Sequence, residues 1–160
     1  MQLSVVEFAR HVCGMQGAGT IEMESETNHV EIPVIAFLPG QEHIKDLGAT
    51  MRLGGHDVVI KENSLAAQVY GSTAIRERFR HRYEVNPQYV AQIEQGDPTG
   101  ANQQKLIFSG KAANEDIMQI MELTDHPYFM ACQFHPELKS SLIHPAPLFL
   151  GLLKAADEKN

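Results

Sequence analysis

The run Cys132-Gln133-Phe134-His135-Pro136-Glu137 holds the residue types from which nucleophilic chemistry is assembled, at the end of an apolar stretch. Pro136 drives His135 into the extended region, where residues i and i+2 project to one side, so His135 and Glu137 are predicted to meet. A carboxylate that accepts a hydrogen bond from one imidazole nitrogen fixes the tautomer and leaves the other nitrogen to act as a base toward a nucleophile. Such a pair is two members of a triad. The same tripeptide also serves merely to tie down a strand end, and the residues taken alone favour that use.

The surrounding chain has 160 residues, 43% hydrophobic and 21% charged, the balance of one ordinary globular domain. Thirteen Lys plus Arg against twenty Asp plus Glu give a net charge of −7, which disfavours nucleic acid and anionic membrane surfaces as partners. Cys13 and Cys132 stand far apart in the chain and form neither a metal-ligand spacing nor a disulfide framework, so a reducing compartment, the cytoplasm, is expected. Glu7, Arg10 and His11 interrupt the first residues too early for a signal peptide. No apolar run reaches the roughly eighteen residues of a membrane span.

Elements that could position the His-Pro-Glu segment follow from periodicity. Val5, Phe8, Ala9 and Val12 repeat at helical spacing with no capping residue before them. Glu22 to Glu31 reads as a surface loop or short edge segment, and Val34 to Leu38, between two prolines, as a buried strand. Thr50 to Leu53 and Asp57 to Ile60 read as two strands joined by a tight hairpin at Gly54-Gly55. Ser64 caps a brief helix through Tyr70 that Gly71 ends, and Asn86-Pro87 opens another that stops near Gly96. Lys105 to Ser109, Ile117 to Leu123 and Tyr128 to Phe134 are strand-like, the second being equally compatible with helix. Phe149, Leu152, Leu153 and Ala156 mark a terminal amphipathic helix. A layered α/β domain is the predicted class.

Several segments together resemble one family over nearly the whole chain. Val6-Glu7-Phe8-Ala9-Arg10-His11-Val12 is similar to a helix that follows a nucleophile turn, and Ala49-Thr50-Met51-Arg52-Leu53-Gly54 to a T-M-R-L-G segment. Arg78-Phe79-Arg80-His81-Arg82-Tyr83-Glu84-Val85-Asn86 resembles an R-H-R-H-R-Y-E-V-N run. His126 through Glu137, with its A-C-Q-F-H-P-E string, and Pro147-Leu148-Phe149 complete the pattern. It is that of the glutaminase domain of the CTP synthases, a class I (triad) glutamine amidotransferase.

The resemblance implies a class I amidotransferase fold, a central mixed or parallel sheet flanked by helices, with residues 1–160 as a single partial glutaminase domain. It implies that L-glutamine is hydrolysed and its ammonia passed to an ATP-activated UTP, yielding CTP. His135 then matches the triad base and Glu137 its orienting carboxylate, while Gln2, Glu22 and Arg82 match positions that hold the glutamine. An α-carboxylate suits Arg82, an α-ammonium suits Glu22, and the side-chain amide suits Gln2. The family's nucleophile stands on a G-x-C-x-G-M-Q turn, of which this sequence begins at Met1-Gln2. The expectations are therefore missing leading strands, no glutamine hydrolysis by the isolated chain, and self-association or a need for a separate N-terminal or synthase piece. No cofactor is expected here, because the family's ATP and magnesium belong to the synthase domain. A non-catalytic glutamine-binding or interaction module is the alternative.

Overall fold

The computed structural model describes residues 1–37 and 51–158. Helix α1 (Gln2–His11) begins with no side-chain cap and carries Arg10 in its last turn, a cation that suits the negative end of a helix dipole. Its predicted stripe is buried: Val5, Phe8, Ala9 and Val12 are all at most 8% exposed. Strand β1 (Ala18–Thr20) follows, then a 3-10 turn at Ile21–Met23, and β2 (Ile32–Ala36) overlaps the strand expected at Val34 to Leu38 but starts ahead of Pro33 and includes it. Leu38 of that expected strand, and Ala49 and Thr50, lie outside the described residues.

The glycine pair does not turn the chain. Arg52–Ile60 is one strand, β3, which pairs along Arg52 to Val59 with β4 (Ala74–His81), Gly54 facing Phe79 and Gly55 facing Arg78. Gly54 takes a φ of +80°, which bends β3 without reversing it, and the missing side chain at Gly55 gives the Arg76 guanidinium room. Strand β4 had no sequence signal, because charged residues alternate through it: Glu77 and Phe79 point inward while Arg76, Arg78 and Arg80 stay exposed.

Helix caps behave as their chemistry dictates. Ser64 Oγ accepts from the Ala67 N–H at 3.1 Å to open α2 (Leu65–Tyr70), and Gly71 closes it with a φ of +64°. After β5 (Glu84–Val85), Asn86 Oδ1 accepts from the Gln88 N–H to open α3 (Pro87–Gln95). Strands β6 (Leu106–Ala112), β7 (Met118–Leu123) and β8 (Met130–Cys132) precede the terminal α4 (Pro147–Asp157). Strand β7 is the segment whose periodicity was ambiguous. Both its faces are buried, Met121 in one apolar cluster and Ile120 in another, so no alternation shows.

Two sheets result. A small one runs β1-β2-β5, with β1 and β2 parallel and β5 antiparallel to β2; a larger antiparallel one runs β4-β3-β6-β7-β8. The α/β class stands, with parallel pairing confined, among the described strands, to β1 and β2. One core cluster joins α1, β1, β2 and α3 to the inner side of β6 and β7, and the second joins α2, β3 and β4 to Phe134 and Leu148. No described helix is long and apolar enough to cross a membrane.

Candidate functional site

Strand β8 stops at Cys132, short of the predicted Phe134, and the chain turns. His135, at φ −110° and ψ 87°, stays out of the helical region that a following proline disfavours, though short of the fully extended backbone expected. Pro136–Leu138 then forms a single 3-10 turn, closed by the Leu138 N–H on the His135 carbonyl at 3.1 Å. This turn, rather than the pleat of a longer strand, brings His135 Nδ1 to 2.7 Å from Glu137 Oε1. The pair is partly open to solvent, with side-chain exposures of 36% and 55%. The bond to His135 holds the Glu137 carboxyl below the usual carboxylate range, helped by its own backbone N–H and by the Arg80 charge. An ionised carboxylate has no proton to give, so Nδ1 donates, and Nε2 is the ring nitrogen outside that bond.

Strand β4 braces this turn from beside it. The His135 N–H donates to the Arg78 carbonyl at 2.9 Å. Lys139 Nζ donates to the Arg76 carbonyl and lies 3.3 Å from Glu77 Oε2, a carboxylate only 5% exposed. Tyr70 donates its hydroxyl to the other Glu77 oxygen at 3.3 Å.

Gln2, the first residue of α1, reaches across to the same region. Its Nε2 donates to the Tyr83 carbonyl at 2.8 Å and to Gln133 Oε1 at 3.2 Å, linking the segment that carries Arg82 to the one that carries His135. Arg82 is half-buried in the short connection between β4 and β5. Glu22 stands apart: it sits exposed in the 3-10 turn after β1, where its N–H donates to Thr20 Oγ1 at 3.3 Å and its carboxylate bonds nothing among the described residues. Of the five residues singled out in the sequence, His135 and Glu137 bond each other, Gln2 bonds the carbonyl next to Arg82 and the side chain two residues before His135, and Glu22 is not joined to them by any described contact.

Sequence reasoning missed the buried polar residues behind the site. Glu84, 2% exposed, accepts from Arg52 Nε at 3.0 Å and pairs with His81 Nε2 at 2.7 Å through one oxygen; Gln133 Nε2 donates to the other at 3.1 Å. Single polar residues inside apolar runs, Gln119 in β7 and Gln133 before Phe134, were the available signal.

Neither thiol is poised to react. Burial pushes the Cys132 thiol up to about 12, and its Sγ donates to the Phe134 carbonyl at 3.3 Å. Burial pushes Cys13 up to about 11, and its Sγ faces the Ile93 carbonyl at 3.6 Å. Among the described residues no group of three His, Cys, Asp or Glu is arranged to hold a metal ion. A groove of about 410 Å³ between α2 and α4, lined by Val69, Tyr128 and Leu150, and one of about 480 Å³ between α1 and β7, lined by Phe8, Met121 and Phe129, include neither His135 nor Arg82.

Comparison with known proteins bears on this arrangement. The glutamine amidotransferase class-I family matches residues 1–155. A CTP synthase of Methanothrix thermoacetophila is 50% identical over 155 residues, covering 97% of this chain and 26% of the relative. One of Thermococcus gammatolerans is 46% identical over 159 residues, covering 99% of this chain and 28% of the relative. The chain therefore spans about a quarter of the length of these relatives. A solved structure of the Trypanosoma brucei CTPS glutaminase domain with bound acivicin superposes with a TM-score of 0.82 at 31% identity, covering 100% of this chain and 58% of that one.

Proposed function

Because the chain belongs to the glutamine amidotransferase class-I family, we propose that it is the glutaminase portion of a CTP synthase, which binds L-glutamine and supplies the base of its hydrolysis. The observation that carries the reading is the 2.7 Å contact between His135 Nδ1 and Glu137. With Nδ1 committed to the carboxylate, Nε2 is the atom that takes a proton from a nucleophile and returns it to the departing ammonia, while Glu137 stabilises the imidazolium in between. Arg82 takes the α-carboxylate in a two-pronged bond, Glu22 the α-ammonium, and Gln2 lies beside the side-chain amide. The ammonia passes to an ATP-activated UTP on a synthase piece of the protein, where ATP and magnesium also bind, to give CTP.

Attack on the amide requires a thiolate, and protonated thiols such as Cys13 and Cys132 supply none at neutral pH. The same observation favours a second reading, in which this polypeptide alone binds glutamine, or a protein partner, without hydrolysing it.

Calorimetric titration with glutamine and ammonia release by the purified chain test both. Binding abolished by Arg82→Ala is the expected result, with ammonia release no faster than buffer. Release that disappears in Cys13→Ala or Cys132→Ala would show that one of these thiols is the nucleophile. An absence of glutamine binding would overturn the glutaminase assignment for this polypeptide.

A further inference from the structure

Glu84 is surrounded by donors from four other parts of the fold. Its Oε1 accepts from Arg52 Nε, at the start of β3, at 3.0 Å and pairs with His81 Nε2, at the end of β4, at 2.7 Å. Its Oε2 accepts from Gln133 Nε2, just past β8, at 3.1 Å and from Gln119 Nε2, in β7, at 3.5 Å. Gln133 Nε2 also donates to the Tyr83 carbonyl at 3.0 Å, the same carbonyl that receives Gln2 Nε2 at 2.8 Å. Arg82 is therefore bracketed: the residue before it is held through its imidazole and the residue after it through its carbonyl. His135 follows the anchored Gln133 by two positions.

We propose that Glu84 is a positioning residue that sets the separation of Arg82 from His135. The proposal rests on the glutaminase reading for its functional consequence, because Arg82 and His135 must face one glutamine molecule. Arg82 lies where the chain crosses from the large sheet to the small one, and His135 leaves the large sheet at β8. Apolar packing between the sheets is non-directional and leaves sliding cheap, whereas a carboxylate with four donors at fixed angles does not. Only a carboxylate fits: it presents acceptors on both oxygens, while an amide would turn an NH2 group toward either Arg52 and His81 or the two glutamine amides.

Glu84→Gln tests this, with side-chain NMR of the Arg82 Nε–H and His135 ring resonances and with glutamine calorimetry. A loss of stability alone, as in a variant of the apolar cluster, would leave both resonances in place. Both are expected to move, and glutamine affinity is expected to fall at least tenfold, while Ile93→Val, a change in the apolar cluster, does neither at a comparable melting shift. Gln133→Ala, which cuts the link but spares the Arg52 contact, should displace the same two resonances if Glu84→Gln does not fold. Unmoved resonances in a folded variant overturn the proposal. Moved resonances in a parent that binds no glutamine would keep the positioning role and remove the glutaminase reading; full affinity with unmoved resonances would do the reverse.

Discussion

Replacing Arg52 by Ala should cost far more than removing an ordinary surface arginine. Its side chain is 12% exposed and that of its partner Glu84 3%, so truncation leaves a buried carboxylate without its guanidinium. Breaking a buried pair in this one-sided way costs about 3 to 5 kcal/mol. His81 Nε2 at 2.7 Å and Gln133 Nε2 at 3.1 Å still serve the carboxylate and pull the figure toward the lower end. The second arm of Arg52 reaches Glu115 at 2.6 Å, but Glu115 is 50% exposed, so that arm adds no more than about 1 kcal/mol. In a chain of this size each kcal/mol lowers the melting temperature by about 2 to 4 °C, which places the expected fall between about 6 and 20 °C, toward the lower part of that range. Calorimetric melting measures it. Arg52→Lys should fall between parent and Ala variant, since an ammonium keeps the charge and loses the fork. The double variant Arg52→Ala/Glu84→Gln should be less unstable than the sum of its parts, with a coupling of about 0.5 to 3 kcal/mol. A drop below about 3 °C, or strict additivity, would refute the view that Glu84 depends on Arg52.

Three further outcomes follow from the geometry. The Glu137 carboxyl, depressed by its bond to His135, should titrate below a free glutamate, so the pair survives as pH falls through the ordinary carboxylate range and is lost only below it; carboxyl-carbon NMR reads the midpoint, and His135→Ala should raise it, short of the free value because the Glu137 N–H and the Arg80 charge remain. Gly110→Ala should destabilise by about 1 to 3 kcal/mol, because a Cβ there would stand 2.7 Å from Ile120 Cδ1 in a fully buried site, and Ile120→Val should recover part of the loss in denaturant titrations. Leu142, Ile143 and Leu153, at 104%, 84% and 66% exposure, should drive self-association visible in sedimentation velocity, and Leu142→Ser/Ile143→Ser should weaken it.

What the sequence made legible was local. Ser64, Gly71 and Asn86-Pro87 act on residues within one helical turn, so their roles follow from backbone chemistry alone, and Pro136 likewise brings Glu137 to its neighbour His135. Partners chosen by the fold were not legible. Gly54-Gly55 carries every mark of a hairpin, and only pairing with Phe79 and Arg78 across the sheet makes it the middle of a strand. Strand β4 went unseen because a charged run hides the inward Glu77 and Phe79, and the burial of Glu84 was not legible because three of its donors, on Arg52, Gln119 and Gln133, come from distant segments.

The division of the candidate site between the sheets gives these buried groups their weight. Glu22 follows β1 and Arg82 precedes β5, so the residues assigned to the ends of glutamine flank the small sheet. His135 follows β8 and is pinned to β4 through the Arg78 carbonyl, so the assigned base belongs to the large sheet. A substrate held by one sheet reacts at a base held by the other only while the sheets keep one relative position, and displacements near 1 Å are enough to spoil a reacting geometry. The apolar cluster under α1 and α3 supplies cohesion between them, and the Gln2, Gln133 and Glu84 bonds supply the direction. Substitutions in that cluster should therefore lower stability without altering glutamine affinity, whereas substitutions among the polar three should weaken glutamine binding when compared at matched stability.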